Sequence, residues 1–131
     1  MRKIDTKVAN AVRVSLPRMG EGYASRHVGG NTQVAHGSSL SRRPVLSVKL
    51  YDTYVVTATG NPANYILDLD VGWFSATTRA RVNASLEALG LGLSVRGRKS
   101  EPAYFLHGEE LREWRGEYRP SFHVVEGRVL A

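Results

Sequence analysis

The sequence contains no cysteine and no long apolar run, and these absences exclude several classes of protein. Without cysteine among its 131 residues, the chain cannot be a disulfide-stapled scaffold, a cysteine-ligated zinc protein or a thiol enzyme. Its apolar runs are all far shorter than the roughly 20 residues of a membrane-spanning helix. The first residues, Met1 to Asp5, lack the apolar stretch of a secretory signal. We therefore expect one cytosolic domain, since a chain of 131 residues is large enough to bury a single core.

Acidic residues are scarce in the first part of the chain, where basic residues are plentiful. Residues 1–50 hold nine Lys and Arg against only Asp5 and Glu21, and the whole chain has a formal net charge of +6. A second basic block lies at 79–99, whereas 101–126 is acidic. This asymmetry indicates a phosphate-bearing partner or an acidic protein surface, although basic residues also serve solubility alone.

Apolar periodicity divides the chain into three segments. Ile4, Val8, Val12 and Leu16 recur at helical spacing, which predicts a basic N-terminal helix within 1–17. Residues 18–43 are rich in Gly and Ser with little periodicity, so we expect a long loop or mobile arm with at most a short strand at 32–34. The remainder, 44–131, is predicted to form an α+β core with a C-terminal extension.

Within the core, runs of β-branched and aromatic residues alternate with turn residues. A helix capped by Ser75 or Thr77 and ended by Gly90 is predicted to follow a half-buried strand at 65–71. The predicted strands lie at 45–51, 54–59, 65–71, 93–96, 103–106, 122–125 and 129–130. The expected fold is α+β: an N-terminal helix, a β-hairpin, a central helix and a second β-hairpin, with the helices on one face of an antiparallel sheet.

One motif, Gly72-Trp73-Phe74-Ser75-Ala76-Thr77-Thr78-Arg79-Ala80-Arg81-Val82-Asn83, starts the central helix. It resembles the signature Gly-Trp-x-Ser-x-Thr-Thr, a basic residue, then Arg-Leu-Asn, of a family of small bacteriophage and prophage proteins of unknown function. The element Gly30-Asn31-Thr32 and the N-terminal helix are similar to other parts of that family, and Val82 replaces its usual Leu. The resemblance implies a phage origin and the host cytoplasm, and it implies no activity.

The motif residues have structural and functional interpretations. Trp73 is expected to be a lid on the core, and capping explains Ser75, Thr77 and Thr78. Arg79, Arg81 and Asn83 either anchor neighbouring strands and loops or, with the free N–H groups of the helix start, grip a phosphate or carboxylate.

The basic turn of the second hairpin is the strongest candidate for direct contact with nucleic acid. It carries Arg96, Arg98 and Lys99 and no large apolar side chain, and Arg42 and Arg43 extend the same patch only if the fold brings them to one side. Alternatives are a modulator that binds a host protein through 18–43 or the C-terminal extension, and a homo-oligomer assembled through edge strands.

An enzyme is not expected. The four histidines follow no metal-ligand spacing, and a carboxylate pair at Asp68 and Asp70 is more typical of the solvent side of a strand. We expect no cofactor and no metal.

Overall fold

The computed structural model describes residues 2–38 and 42–130. Its helices are α1 (Lys3–Ser15) and α2 (Ala76–Leu89), with short 3-10 turns at Leu16–Arg18 and Arg112–Trp114. Its strands are β1 (Ala24–Gly29), β2 (Thr32–Ser38), β3 (Pro44–Leu50), β4 (Thr53–Asn61), β5 (Asn64–Leu69), β6 (Leu93–Arg98), β7 (Glu101–Leu106), β8 (Glu109–Glu110), β9 (Ser121–Val125) and β10 (Arg128–Leu130). The predicted α+β class is confirmed.

The strands form two antiparallel sheets. The larger one has seven strands in the order β1-β2-β3-β4-β5-β9-β10, and β6, β7 and β8 form a separate small sheet. The sequence-based prediction of a single sheet implied that the second hairpin extends the main sheet. The structure shows that it does not. It packs beside it instead, where Tyr104 and Trp114 place their rings 6.1 and 5.3 Å from the ring of Phe122 on β9.

The core lies between one face of the large sheet and a layer made of α1, α2 and the small sheet. Every second residue of β3 and β5 is buried, and the half-buried strand predicted at 65–71 is confirmed, with Tyr65, Leu67, Leu69 and Val71 buried. On α2, Val82, Leu86 and Leu89 form an apolar stripe at helical spacing and join this core. The side chains that alternate with these buried residues, such as Lys49 and Ile66, lie on the other face of the sheet and are accessible to solvent.

The segment 18–43 differs from its predicted structure as a loop or arm. Residues 24–29 and 32–38 form the antiparallel hairpin β1–β2, and β2 pairs with β3 along its whole length. Residues 39–41 of the predicted loop lie outside the described residues. Periodicity failed here because β1 is an edge strand whose first four residues are all exposed, so it carries no alternating apolar pattern.

Candidate nucleic-acid interface

The start of α2 is organised by its N-cap. Ser75 has an extended backbone, and its hydroxyl oxygen accepts a hydrogen bond from the Thr78 N–H at 3.1 Å, as capping predicted. At the other end, Gly90 adopts the predicted left-handed conformation with φ 69°. The two ends of α2 therefore match the sequence-based prediction, and Arg79 follows Thr78 in the capped first turn.

Arg79 extends from this first turn to the second hairpin. Its guanidinium carbon lies 5.1 Å from the ring centroid of Phe74, a cation–π contact. A Cβ at Gly97 on β6 would lie 2.5 Å from Arg79 Nη1, so the guanidinium lies directly against the backbone at Gly97. The fold thus brings Arg79 against the base of the basic hairpin turn.

The three bases of that turn are all exposed. Arg96 lies with its guanidinium carbon 4.5 Å from the ring centroid of Phe105, and Arg98 Nη1 is 2.9 Å from Glu110 Oε1. Lys99 and Ser100 form the tight turn itself, both with left-handed φ values of 52° and 67°. We call Arg79, Arg96, Arg98 and Lys99 the basic tip.

Glu110 neutralises part of the basic tip, but it is shared. Arg115 donates two hydrogen bonds of 2.6 Å to its carboxylate, while Arg98 donates one. The hydrogen bonds from Arg115, with the charges of Arg115 and Arg98, hold the pKa of Glu110 below its usual range. One carboxylate therefore faces two arginines, and a second carboxylate, Glu101, lies opposite Arg98 in the hairpin register.

Asn83 has the structural role that the sequence left open. Its amide nitrogen donates to the Val95 carbonyl at 2.9 Å, and its amide oxygen accepts from the Val95 N–H at 2.8 Å. This reciprocal pair ties β6 to α2 and leaves no amide group of Asn83 directed at a ligand. Asn83 and Arg79 both face the second hairpin, as their spacing of four residues predicts.

Arg81 is buried, which argues against its predicted contact with nucleic acid. Its side chain is 5% exposed, with Nη1 2.6 Å from Asp5 Oδ1 on α1 and Nε donating to the Thr32 hydroxyl at 3.2 Å. Thr32 in turn donates to the Gly30 carbonyl at 3.1 Å. Arg81 therefore anchors α1 and the β1–β2 turn to α2, which is the structural alternative weighed from the sequence.

The element around Asn31 is also structural. Asn31 has a left-handed φ of 57°, and its carbonyl accepts a hydrogen bond from the Tyr51 N–H at 2.8 Å. Gly30, with φ 54°, packs so closely on Ile4 that a Cβ there would clash. The N-terminal helix, residues 30–32 and the start of α2 are therefore joined in one network of contacts.

Arg42 and Arg43 do not extend the basic tip. They precede β3, whose first residue Pro44 pairs with Ser38, whereas Leu50 at the far end of β3 lies beside the start of α2. The seven residues of this strand separate the two locations by roughly 20 Å. The fold therefore does not bring Arg42 and Arg43 to the same side as the basic tip.

Trp73 corrects another prediction, because it is 81% exposed and is not a lid on the core. Gly72 donates its N–H to Asp70 Oδ1 at 2.9 Å, and this turn directs Trp73 outward. Trp73 borders a groove of about 660 Å³ that also contacts Tyr51, Asp52, Thr53 and Thr77. The sequence contains one signal for this position. Trp73 lies after the alternating strand and before the helix, so neither the strand periodicity nor the helix periodicity assigns it to the core.

The remaining polar candidates are engaged in local contacts. The Asp68 carboxylate accepts a hydrogen bond from Ser121, and Asp70 Oδ2 lies 3.5 Å from Arg119 Nε. In residues 2–38 and 42–130, no three His, Asp or Glu side chains come together in a way that could hold a metal ion.

The fold and these contacts define a small α+β protein whose central helix carries a basic hairpin on one side and an anchor for the N-terminal helix on the other. The chain belongs to the Kyanoviridae Gp96 protein family, a phage family whose model matches residues 1–118. The match ends at residue 118, so residues 119–131 lie outside it. No curated protein and no solved structure matches the chain. None of the helices in the described part of the chain is long and apolar enough to cross a membrane.

Proposed function

We propose that this phage protein is a non-enzymatic accessory protein that acts in the host cytoplasm and binds nucleic acid through the basic tip. One observation supports the proposal most strongly: α2 places the Arg79 guanidinium against the hairpin backbone at Gly97. Cations from two separate elements therefore lie on the two faces of one projecting hairpin. Such clustering is what recognition of a phosphate backbone requires.

The arrangement of these cations favours a groove. Successive residues of a strand point to opposite faces, so Gly97 faces Arg79 while Arg96 and Arg98 point to the other face of the hairpin. A two-stranded ribbon fits into the major groove of duplex DNA, whose two walls are phosphate backbones. A hairpin with cations on both faces can contact both walls, and this supports a double-stranded partner.

The other residues predicted to contact nucleic acid contribute less. Arg81 and Asn83 are engaged within the fold, and Arg42 and Arg43 lie at the far end of β3. The proposed contact residues are therefore the four of the basic tip.

The test compares two variants of equal net charge. Arg96→Gln, Arg98→Gln and Lys99→Gln together remove three charges from the tip, while Lys3→Gln, Lys7→Gln and Arg13→Gln remove three exposed charges from α1. Fluorescence anisotropy measures the binding of a labelled DNA duplex, its single strand and the corresponding RNA. We expect the tip variant to lose about tenfold or more in duplex affinity, with a much smaller loss for the α1 variant.

Equal losses in the two variants would show that only net charge matters, and would overturn the assignment of the site. No binding of any of the three nucleic acids by the wild-type protein at low salt would overturn the function itself.

A further inference from the structure

The groove beside the start of α2 exposes two large aromatic side chains. Trp73 is 81% exposed and Tyr51 is 67% exposed, and both border the same groove of about 660 Å³. Tryptophan and tyrosine dominate the residues that carry binding energy at protein interfaces, because they bury a large area on contact. Neither ring serves the core of this protein, so their position needs another explanation.

Both aromatics stand on backbone that is fixed by hydrogen bonds. The Trp73 carbonyl accepts from the Ser75 N–H at 3.0 Å, and the turn before it is closed by Asp70 and Gly72. Tyr51 has a left-handed φ of 54° and is held there by its hydrogen bond to Asn31. Rigid presentation lowers the entropy that a contact surface loses on binding.

The groove differs in charge from the rest of the molecule. The charged side chains that border it are Asp52 and Asp70, both acidic, in a chain of net charge +6. Asp70 is partly paired with the exposed Arg119, whereas no basic side chain of the described residues lies within ion-pair distance of Asp52. Exposed rings beside carboxylates form a site for a cation, since both attract positive charge.

We propose that this groove docks a partner protein through an arginine or lysine side chain, which packs on the exposed rings of Trp73 and Tyr51 and faces the carboxylates of Asp52 and Asp70. The cation gains a contact with the aromatic faces and a charge-assisted hydrogen bond together. The same carboxylates repel phosphate, so the groove and the basic tip are distinct surfaces with partners of opposite charge.

A random peptide library displayed on particles and selected on the full-length protein tests this inference. Each recovered peptide is then measured against Trp73→Ala and Asp52→Asn, both exposed positions. Tyr23→Ala, another exposed aromatic outside the groove, and Glu87→Gln, an exposed carboxylate on α2, are the matched controls. The folded state of every variant is checked by its thermal unfolding.

We expect peptides that carry Arg or Lys, with affinity reduced about thirtyfold by Trp73→Ala and roughly fivefold by Asp52→Asn. Neither control should change the affinity. Replacing the basic residue of a peptide by Gln should abolish its dependence on Asp52.

Two results would overturn the proposal. One is a library that yields no Trp73-dependent peptide, or only peptides without a basic residue. The other is a short oligothymidine that binds in a Trp73-dependent manner and binds more tightly to Asp52→Asn, since the groove would then be a stacking surface for nucleic-acid bases.

Discussion

At the scale of single residues, Arg81 shows how the N-terminal helix is attached. It lies in the first half of α2, yet its partners Asp5 and Thr32 come from α1 and β2. Both charges are buried, with side chains 5% and 6% exposed. A charge left without its partner in such a place is strongly unfavourable, whereas two apolar side chains of similar volume can replace the pair at little cost.

A double-mutant cycle measures this contact. Arg81→Met and Asp5→Leu should each lower the free energy of unfolding by about 3 kcal/mol. Asp5→Leu strands the Arg81 charge, and Arg81→Met leaves the buried Asp5 with the exposed Arg2 at 3.5 Å. The combined variant should recover much of that loss. Urea denaturation followed by circular dichroism gives the four values, and additive effects in the double variant would contradict a direct coupling.

The buried tyrosines make the fold sensitive to alkali. Burial raises the pKa of Tyr65 to about 12, and it also raises the pKa of Tyr104, whose hydroxyl donates to the Glu117 carbonyl at 2.6 Å. In the unfolded chain each ionises near pH 10, so from pH 10 upward the unfolded state binds fewer protons and stability falls.

The expected result is a melting temperature that is steady below pH 10 and declines from pH 10 to 12. Tyr65→Phe should weaken this decline, and the half-exposed Tyr54→Phe should not. Melting curves by circular dichroism at each pH provide the measurement. An identical decline in Tyr65→Phe would show that other groups cause the alkaline transition.

At the scale of elements, the helices, strands and turns that could be predicted from the sequence were those with a strong local residue pattern. The cap at Ser75, the stop at Gly90 and the final hairpin were all predictable, because they depend on residues a few positions apart. The β1–β2 hairpin was not, since the exposed edge strand β1 needs no apolar alternation, and β2 is held in the sheet by pairing with β3, a later segment of the chain. The separate small sheet depends on contacts of Tyr104 and Trp114 with Phe122, which no local pattern reveals.

The second hairpin has a turn that a substitution should improve. Lys99 and Ser100 both have positive φ, a two-residue turn for which Asn-Gly is favoured. Ser100→Gly removes the strain of a Cβ at φ 67° and keeps every charge of the basic tip. We expect it to raise the free energy of unfolding by about 1 kcal/mol, measured by urea denaturation.

The same variant separates the shape of the turn from its charge. Duplex affinity of Ser100→Gly should stay within twofold, roughly, of the wild-type value, because its cations are unchanged. A destabilised Ser100→Gly protein would contradict the left-handed assignment of this turn.

At the scale of the whole molecule, opposite charges lie on either side of the start of α2. The basic tip follows Arg79 toward the second hairpin, and the groove with Asp52 and Asp70 lies toward the β3–β4 turn. The sequence revealed the two basic blocks but not which bases share a surface. Arg42 and Arg43 lie at the far end of β3, and Arg81 is buried. The sequence could not distinguish these arginines from those of the basic tip, because the difference depends on the three-dimensional arrangement.

The salt dependence of duplex binding tests the central claim most directly. If four cations of the basic tip contact phosphates, the logarithm of the binding constant should fall against the logarithm of salt concentration with a slope of about −3 to −4 between about 50 and 200 mM. The Gln variant of Arg96, Arg98 and Lys99 should retain a slope near about −1, while the α1 variant keeps the wild-type slope. A wild-type slope near zero, or the same slope in the tip variant, would contradict binding through the basic tip.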